Sequence, residues 1–234
     1  RHMPAGPLRA TSAANDDYGG ETLEAQQAYA VDVCYKHGYR GGDTYNRLGH
    51  MHAFAYETLV KMGKAGWEGE PTGPGDGVTV GREDNVEGLC MMAIESLAFS
   101  TAATFMSGAG VFGKSAIYDM PGYREWVKAA NLVPLGVMTW DKIIHGGETW
   151  ANERIFAVDD IPGTRVDQRL NKSTGDFIAT IYGQSGGHKL PVSRDAEFTI
   201  YNPQTQEGHK FEVKKGKTFD VSFDKGRFVV GKYS

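Results

Sequence analysis

Cysteine is scarce in these 234 residues, with only Cys34 and Cys90 present. That is too few for the disulfide framework that staples small secreted domains. They read as core thiols, one in a buried strand and one in a helix, so cysteine usage leaves the compartment open. No apolar run approaches the ~20 residues that cross a bilayer, and no charged, apolar, then small-residue leader opens the chain; no membrane span is expected. Neither sign of charge dominates: 25 Lys and Arg stand among 29 Asp and Glu, for a net charge of -4. Without a basic stripe to follow a phosphate backbone, nucleic acid is not an expected partner. Metal-ligand spacing is lacking too. His50 and His52 fall on different faces of a helix, His145, His188 and His209 are isolated, and neither HExxH nor CxxC occurs. No metal and no cofactor is therefore expected.

What is present fits a folded globular protein: 40% hydrophobic, 23% charged and 11% aromatic residues, in a chain long enough to bury a substantial core. Its 31 glycines exceed the ~7% average, so tight turns are frequent and chance matches to glycine motifs are expected. Arg1-His2-Met3 has the look of a cloning scar or of a cut in a longer chain, and is set apart from the fold argument.

Up to about residue 149 the text alternates strand-like runs with helical periodicity, the signature of parallel βα units. Strands are predicted over 8–12, 31–36, 64–68 and 102–107, with helices over 21–29, 48–62 and 84–100. In the second helix Leu48, Met51, Ala55, Leu59 and Met62 recur at helical steps, and Gly63 would cap it. In the third, Val86, Leu89, Ala93 and Leu97 share one face. After a linker over 143–152 the helical period gives way to short alternating runs over 154–158, 176–182, 197–201, 209–213, 217–223 and 227–233. Such spacing predicts an antiparallel β-sandwich, with Asp224-Lys225-Gly226 as a hairpin loop whose glycine takes a positive φ. The expected class is thus α/β plus all-β, in two domains over 1–149 and 150–234.

Four βα units in about 130 residues are half of a closed (β/α)8 barrel, which takes about 250. A half-barrel on its own would bare two strand edges and an apolar inner face. The expectation is that the missing N-terminal half, or a second chain, completes the ring.

In such a barrel the working residues sit at the C-terminal ends of the strands. There the sequence puts Asn15 and Asp16, then His37 and Arg40, then Trp67, Glu68 and Glu70, and after the fourth strand Ser107. In Trp67-Glu68-Gly69-Glu70-Pro71-Thr72-Gly73-Pro74-Gly75 a carboxylate ends a strand beside an indole and before a stiff loop. That combination suits glycoside chemistry: the carboxylate is held rigidly and the indole offers a face on which a sugar ring can stack. It also needs a second carboxyl, about 5–5.5 Å away when configuration is retained.

His37-Gly38-Tyr39-Arg40, Glu70-Pro71-Thr72-Gly73-Pro74-Gly75, the 84–100 helix and Ser107-Gly108-Ala109-Gly110 together resemble the last strands of (β/α)8 glycoside hydrolases. The C-terminal sandwich is similar to the accessory β domain that often follows such barrels. The resemblance implies a glycosidase acting on a poly- or oligosaccharide, with secretion favoured, and Glu70 as nucleophile at the end of the penultimate strand. Trp67, Glu68, His37, Arg40, Asn15 and Asp16 would hold the glycan. It also implies that the acid/base, normally on the fourth strand, lies upstream of Arg1. The chain has Gly69-Glu70-Pro71 where the family often has Asn-Glu-Pro. An alternative is a non-catalytic carbohydrate-binding or structural module, such as a virion component, that keeps a hydrolase-like shell.

A rival motif, Gly108-Ala109-Gly110-Val111-Phe112-Gly113-Lys114-Ser115, matches the phosphate loop letter for letter. The phosphate loop must open a helix at its lysine, and Pro121-Gly122 interrupts the chain soon after. A P-loop nucleotide binder is therefore the least favoured reading.

Overall fold

The computed structural model describes residues 10–14, 33–37, 65–69, 86–99, 123–134, 154–157 and 163–234. Near the N-terminus, β1 (Ala10–Ala14), β2 (Val33–His37) and β3 (Ala65–Gly69) form a three-stranded sheet in that order. Both pairings are parallel, with Thr11 opposite Cys34 and Cys34 opposite Gly66. Parallel neighbours require crossover connections, as the alternating pattern predicts. The observed strands begin one or two residues later than the sequence suggests. The expected helices over 21–29 and 48–62, the strand over 102–107, the linker and the phosphate-loop motif lie outside the described residues.

Helix α1 (Val86–Phe99) falls within the predicted 84–100, and α2 (Tyr123–Ala130) follows Pro121-Gly122. Helix α1 differs from the one-faced helix expected from Val86, Leu89, Ala93 and Leu97: every residue from Glu87 to Glu95 is buried. Its continuous Leu89-Cys90-Met91-Met92-Ala93-Ile94 run accounts for this, since a helix apolar all round belongs inside. Helix α2 is amphipathic, burying Trp126 and Ala129 against α1 while Arg124 and Lys128 stay exposed.

The C-terminal region is antiparallel throughout. Its strands are β4 (Thr164–Leu170), β5 (Asp176–Gly183), β6 (Gly186–Pro191), β7 (Ala196–Tyr201), β8 (Gly208–Val213), β9 (Thr218–Phe223) and β10 (Gly226–Tyr233). They form a five-stranded sheet, ordered β4-β5-β10-β7-β8, and a two-stranded sheet of β6 and β9. One core lies between these sheets, built on Phe156, Phe177, Phe198 and Phe219. Phe198 meets Phe219 edge-on with ring centres 5.2 Å apart, and Phe156 meets Phe198 at 5.6 Å, the geometry the ring quadrupole favours. The opposite face of the large sheet carries Ile178, Tyr182 and Phe228 and is covered by α1 and α2. The layers therefore run helices, large sheet, small sheet.

Three expectations need correction. The 154–158 run is no strand: among its described residues only Phe156 bridges, to Val192, and the edge place in the large sheet belongs to β4. Strand β6 went unpredicted because Gly186, Gly187 and Pro191 depress strand propensity, which an exposed strand of a two-stranded sheet tolerates. Asp224-Lys225-Gly226 is not a hairpin loop. It carries the chain from β9, which pairs with β6, across to β10, which enters between β5 and β7. Gly226 is not among the positive-φ glycines; it is needed for close approach, since a Cβ there would lie 2.7 Å from the Ile181 carbonyl oxygen and 2.9 Å from Met91 Cε.

That crossing is pinned to the helix layer by Glu87. Its Oε1 accepts hydrogen bonds from the Lys225 N–H (2.8 Å), the Gly226 N–H (3.0 Å) and Arg227 Nη1 (3.0 Å). Replacing Glu87 by Ala strips the acceptor from these donors, the Gly226 N–H being buried. Glu87→Ala is expected to lose about 2–3 kcal/mol of stability, measurable as a lower urea midpoint at unchanged m-value.

Candidate functional site

The parallel strands end together. In register, Ala14 stands opposite His37 and His37 opposite Gly69, with Lys36 opposite Glu68 one step before. Neighbouring strands lie about 4.8 Å apart, so the C-terminal edge of this sheet gathers the ends of three segments into one row. His37 is the last residue of β2, and Trp67 and Glu68 precede the last residue of β3, Trp67 opposite Tyr35. Thus the backbone brings His37 and Glu68 to one edge. Glu70 follows β3 directly in sequence and Asn15 follows β1; Asn15, Asp16, Arg40 and Glu70 lie outside the described residues.

A polar cluster that the sequence reading did not single out lies between α1 and the large sheet. Glu95, from the middle of α1, accepts a hydrogen bond from Thr180 Oγ1 at 2.6 Å. Asp167 on β4 accepts from Arg165 Nε at 3.2 Å and from the Tyr182 hydroxyl. Asp167 stands opposite Thr180 in the register of β4 and β5, which sets its charge near Glu95. Burial, followed by the nearby negative charge of Asp167, holds the Glu95 carboxyl well above the usual carboxylate range. Burial and the same aspartate keep the Tyr182 phenol protonated, which suits its donation to Asp167. Arg169, fully buried, donates to the Ala98 carbonyl at the end of α1. Two sequence signals mark this cluster: one acid inside the apolar run of α1, and Arg165, Asp167 and Arg169 at alternate positions of β4.

On the large sheet, Glu197, Thr199, Lys210, Glu212 and Lys232 line an open groove of 460 Å³ along β7, β8 and β10. Lys214 engages Glu212 at 2.6 Å and Asp195 at 3.5 Å near its rim. Among the described residues there is no His, Cys, Asp and Glu grouping of the kind that holds a metal ion, and no helix long and apolar enough to cross a membrane.

No protein-family model matches the chain, and no curated protein matches it in sequence. Solved structures do resemble it in fold. A structure described as a glycoside hydrolase aligns with 89% of this chain at a TM-score of 0.51 and 11% identity, using 54% of its own length. An arabinofuranosidase aligns with 96% of the chain at a TM-score of 0.43 and 12% identity, over 57% of that protein. A Paenibacillus polymyxa xyloglucanase of glycoside hydrolase family 44 aligns with 94% at 0.42 and 10% identity, over half of its length, 50%. The chain thus has a glycoside hydrolase-like fold and spans about half of the first of these structures.

Cys90 offers no nucleophile. Burial in α1, reinforced by the charges of Glu125 and Glu87, pushes its thiol up to about 12. A thiolate is the reactive form, so Cys90 is expected to resist alkylation by iodoacetamide at pH 8 in the folded protein and to react once urea unfolds it. Peptide mass spectrometry reads both states.

Proposed function

We propose that this chain is the C-terminal half of a (β/α)8 glycoside hydrolase domain, bounded near residue 149 and followed by a β-sandwich domain, and that it cleaves glycosidic bonds in a poly- or oligosaccharide. One observation carries the reading: β1, β2 and β3 are parallel neighbours in sequence order whose C-terminal ends stand in register, the end at which barrel enzymes assemble their sites. The fold likeness to a glycoside hydrolase over 89% of the chain supports it.

In this mechanism Glu70, the first residue after β3, is the nucleophile. It attacks the anomeric carbon, the glycosidic bond breaks as a second carboxyl protonates the departing oxygen, and water then releases the sugar from the glycosyl ester. The second carboxyl comes from the N-terminal half of the barrel or from another chain. Trp67 supplies a stacking face, while Glu68, His37, Arg40, Asn15 and Asp16 bind sugar hydroxyls. Neither metal nor cofactor takes part in the proposed route, and secretion places the enzyme with its polymeric substrate.

The test is Glu70→Gln in the full-length protein, assayed on a panel of glycans. Loss of a nucleophile predicts a fall in kcat of at least about 10³-fold with an unaltered circular dichroism spectrum. Unchanged turnover removes Glu70 from the mechanism.

A further inference from the structure

We propose that the outer edge of β8 pairs with the same strand of a second copy of this chain, antiparallel and centred on Phe211, so that two large sheets join across a twofold axis. Among the described strands β8 pairs only with β7, and it closes one end of the large sheet. Every residue from Gly208 to Glu212 is exposed. Phe211, at 40% exposure, and Val127 are the large apolar side chains left exposed among the described residues. An exposed edge strand is a template for another strand, and the charges along β8 determine which strand fits.

The β7–β8 ladder fixes which backbone groups face outward. The Asn202 N–H donates to the Glu207 carbonyl at 2.9 Å, and these residues continue the register that sets Tyr201 opposite Gly208. Hydrogen-bonded and non-hydrogen-bonded pairs alternate along an antiparallel ladder, so His209, Phe211 and Val213 direct their backbone groups to β7. Lys210 and Glu212 turn theirs outward, and they flank Phe211 symmetrically. A twofold axis through Phe211 pairs residues 209–213 with their copies and sets Lys210 against Glu212 of the partner subunit, twice. The other register of that length, over 208–212, is centred on Lys210 and sets lysine against lysine.

Charges on the neighbouring strand favour the register centred on Phe211. Glu212 already stands opposite Glu197 of β7, and like charges directly opposed are unfavourable. Lys214 engages Glu212 from its own strand at 2.6 Å, and a lysine on the outer side adds the opposite charge across the strands. Phe211 becomes a non-hydrogen-bonded pair at the axis, where side chains come closest, with Cα atoms about 4.5 Å apart. Its ring, edge-on to Phe219 at 5.1 Å, then meets its own copy, and the exposed apolar surface is covered. A contact made by one pair of strands is small, so the dimer is a weak one, in the micromolar range.

Sedimentation equilibrium of the 234-residue chain, up to about 1 mM, tests this by comparing wild type with Lys210→Glu and Glu212→Lys. Each substitution turns both attractive pairs into repulsive ones and is expected to raise the dimer Kd by about tenfold or more. Both side chains are exposed, so circular dichroism spectra should be unaltered. An equimolar mixture of the two variants restores opposite charges at both pairs and is expected to form a mixed dimer near wild-type affinity. The Lys210→Glu, Glu212→Lys double variant restores them within one chain and should dimerise as wild type does. A wild type that stays monomeric throughout, or a dimer that neither single variant weakens, would overturn the pairing; the second result would assign the contact to another surface.

Discussion

Both faces of β5 are buried, and that single constraint orders the C-terminal two-thirds of the described structure. From Phe177 to Tyr182 every residue is inaccessible to solvent. Phe177, Ala179 and Ile181 point into the core shared with β6 and β9, while Ile178 and Tyr182 point under α1 and α2. A strand with no wet face must be roofed on both sides, so the helices belong to the packing of the large sheet as much as to the parallel units that precede it in sequence. Burial of β5 and β10 beneath α1 supplies the non-directional attraction, at about 25 cal/mol per Å² of apolar surface removed from water.

Apolar burial alone would let α1 slide along the sheet. Its position is set by directional contacts along its length: Glu87 to the β9–β10 crossing, Glu95 to Thr180, and the Ala98 carbonyl to Arg169. Removing charges from water is expensive, and a well-packed apolar replacement is often as stable as a buried ion pair. These contacts are therefore better understood as fixing register than as adding net stability. Each of them fails if α1 shifts by one turn, about 5.4 Å. Gly226 belongs to the same arrangement, because its missing side chain lets Met91 and the Ile181 carbonyl close over the start of β10.

How much of this could be read from the sequence depends on which faces of each element are wet. Strands β7, β9 and β10 alternate or run apolar in the ordinary way, and their limits match the sequence reading to within one residue. The parallel strands were legible from their spacing along the chain. Strand β4 was not, because the residues it buries toward the helices are Asp167 and Arg169; polar side chains made compatible with burial by hydrogen bonds invert the usual hydrophobic pattern. The β9–β10 turn misled for a different reason. Local turn chemistry is the same whether the chain returns to its own sheet or crosses to another, and only long-range pairing of β9 with β6 decides between them. At the candidate site the sequence supplied residue types and strand ends, and the fold supplied the register that puts His37 opposite Gly69.

The buried acids also bear on where chemistry can occur. Glu95 and Asp167 are two buried acids flanking Thr180, the Glu95 carboxyl held above its usual range, and in composition such a pair resembles the acid and base of a glycosidase. Their exposure rules that role out: a carboxyl that must protonate a glycosidic oxygen has to touch the sugar, and these are sealed between a helix and a sheet. Asp167 is already engaged by Tyr182 and Arg165. A perturbed carboxyl here serves packing. The site proposed for glycan cleavage lies instead where backbone strands terminate side by side, at the edge formed by Ala14, His37 and Gly69.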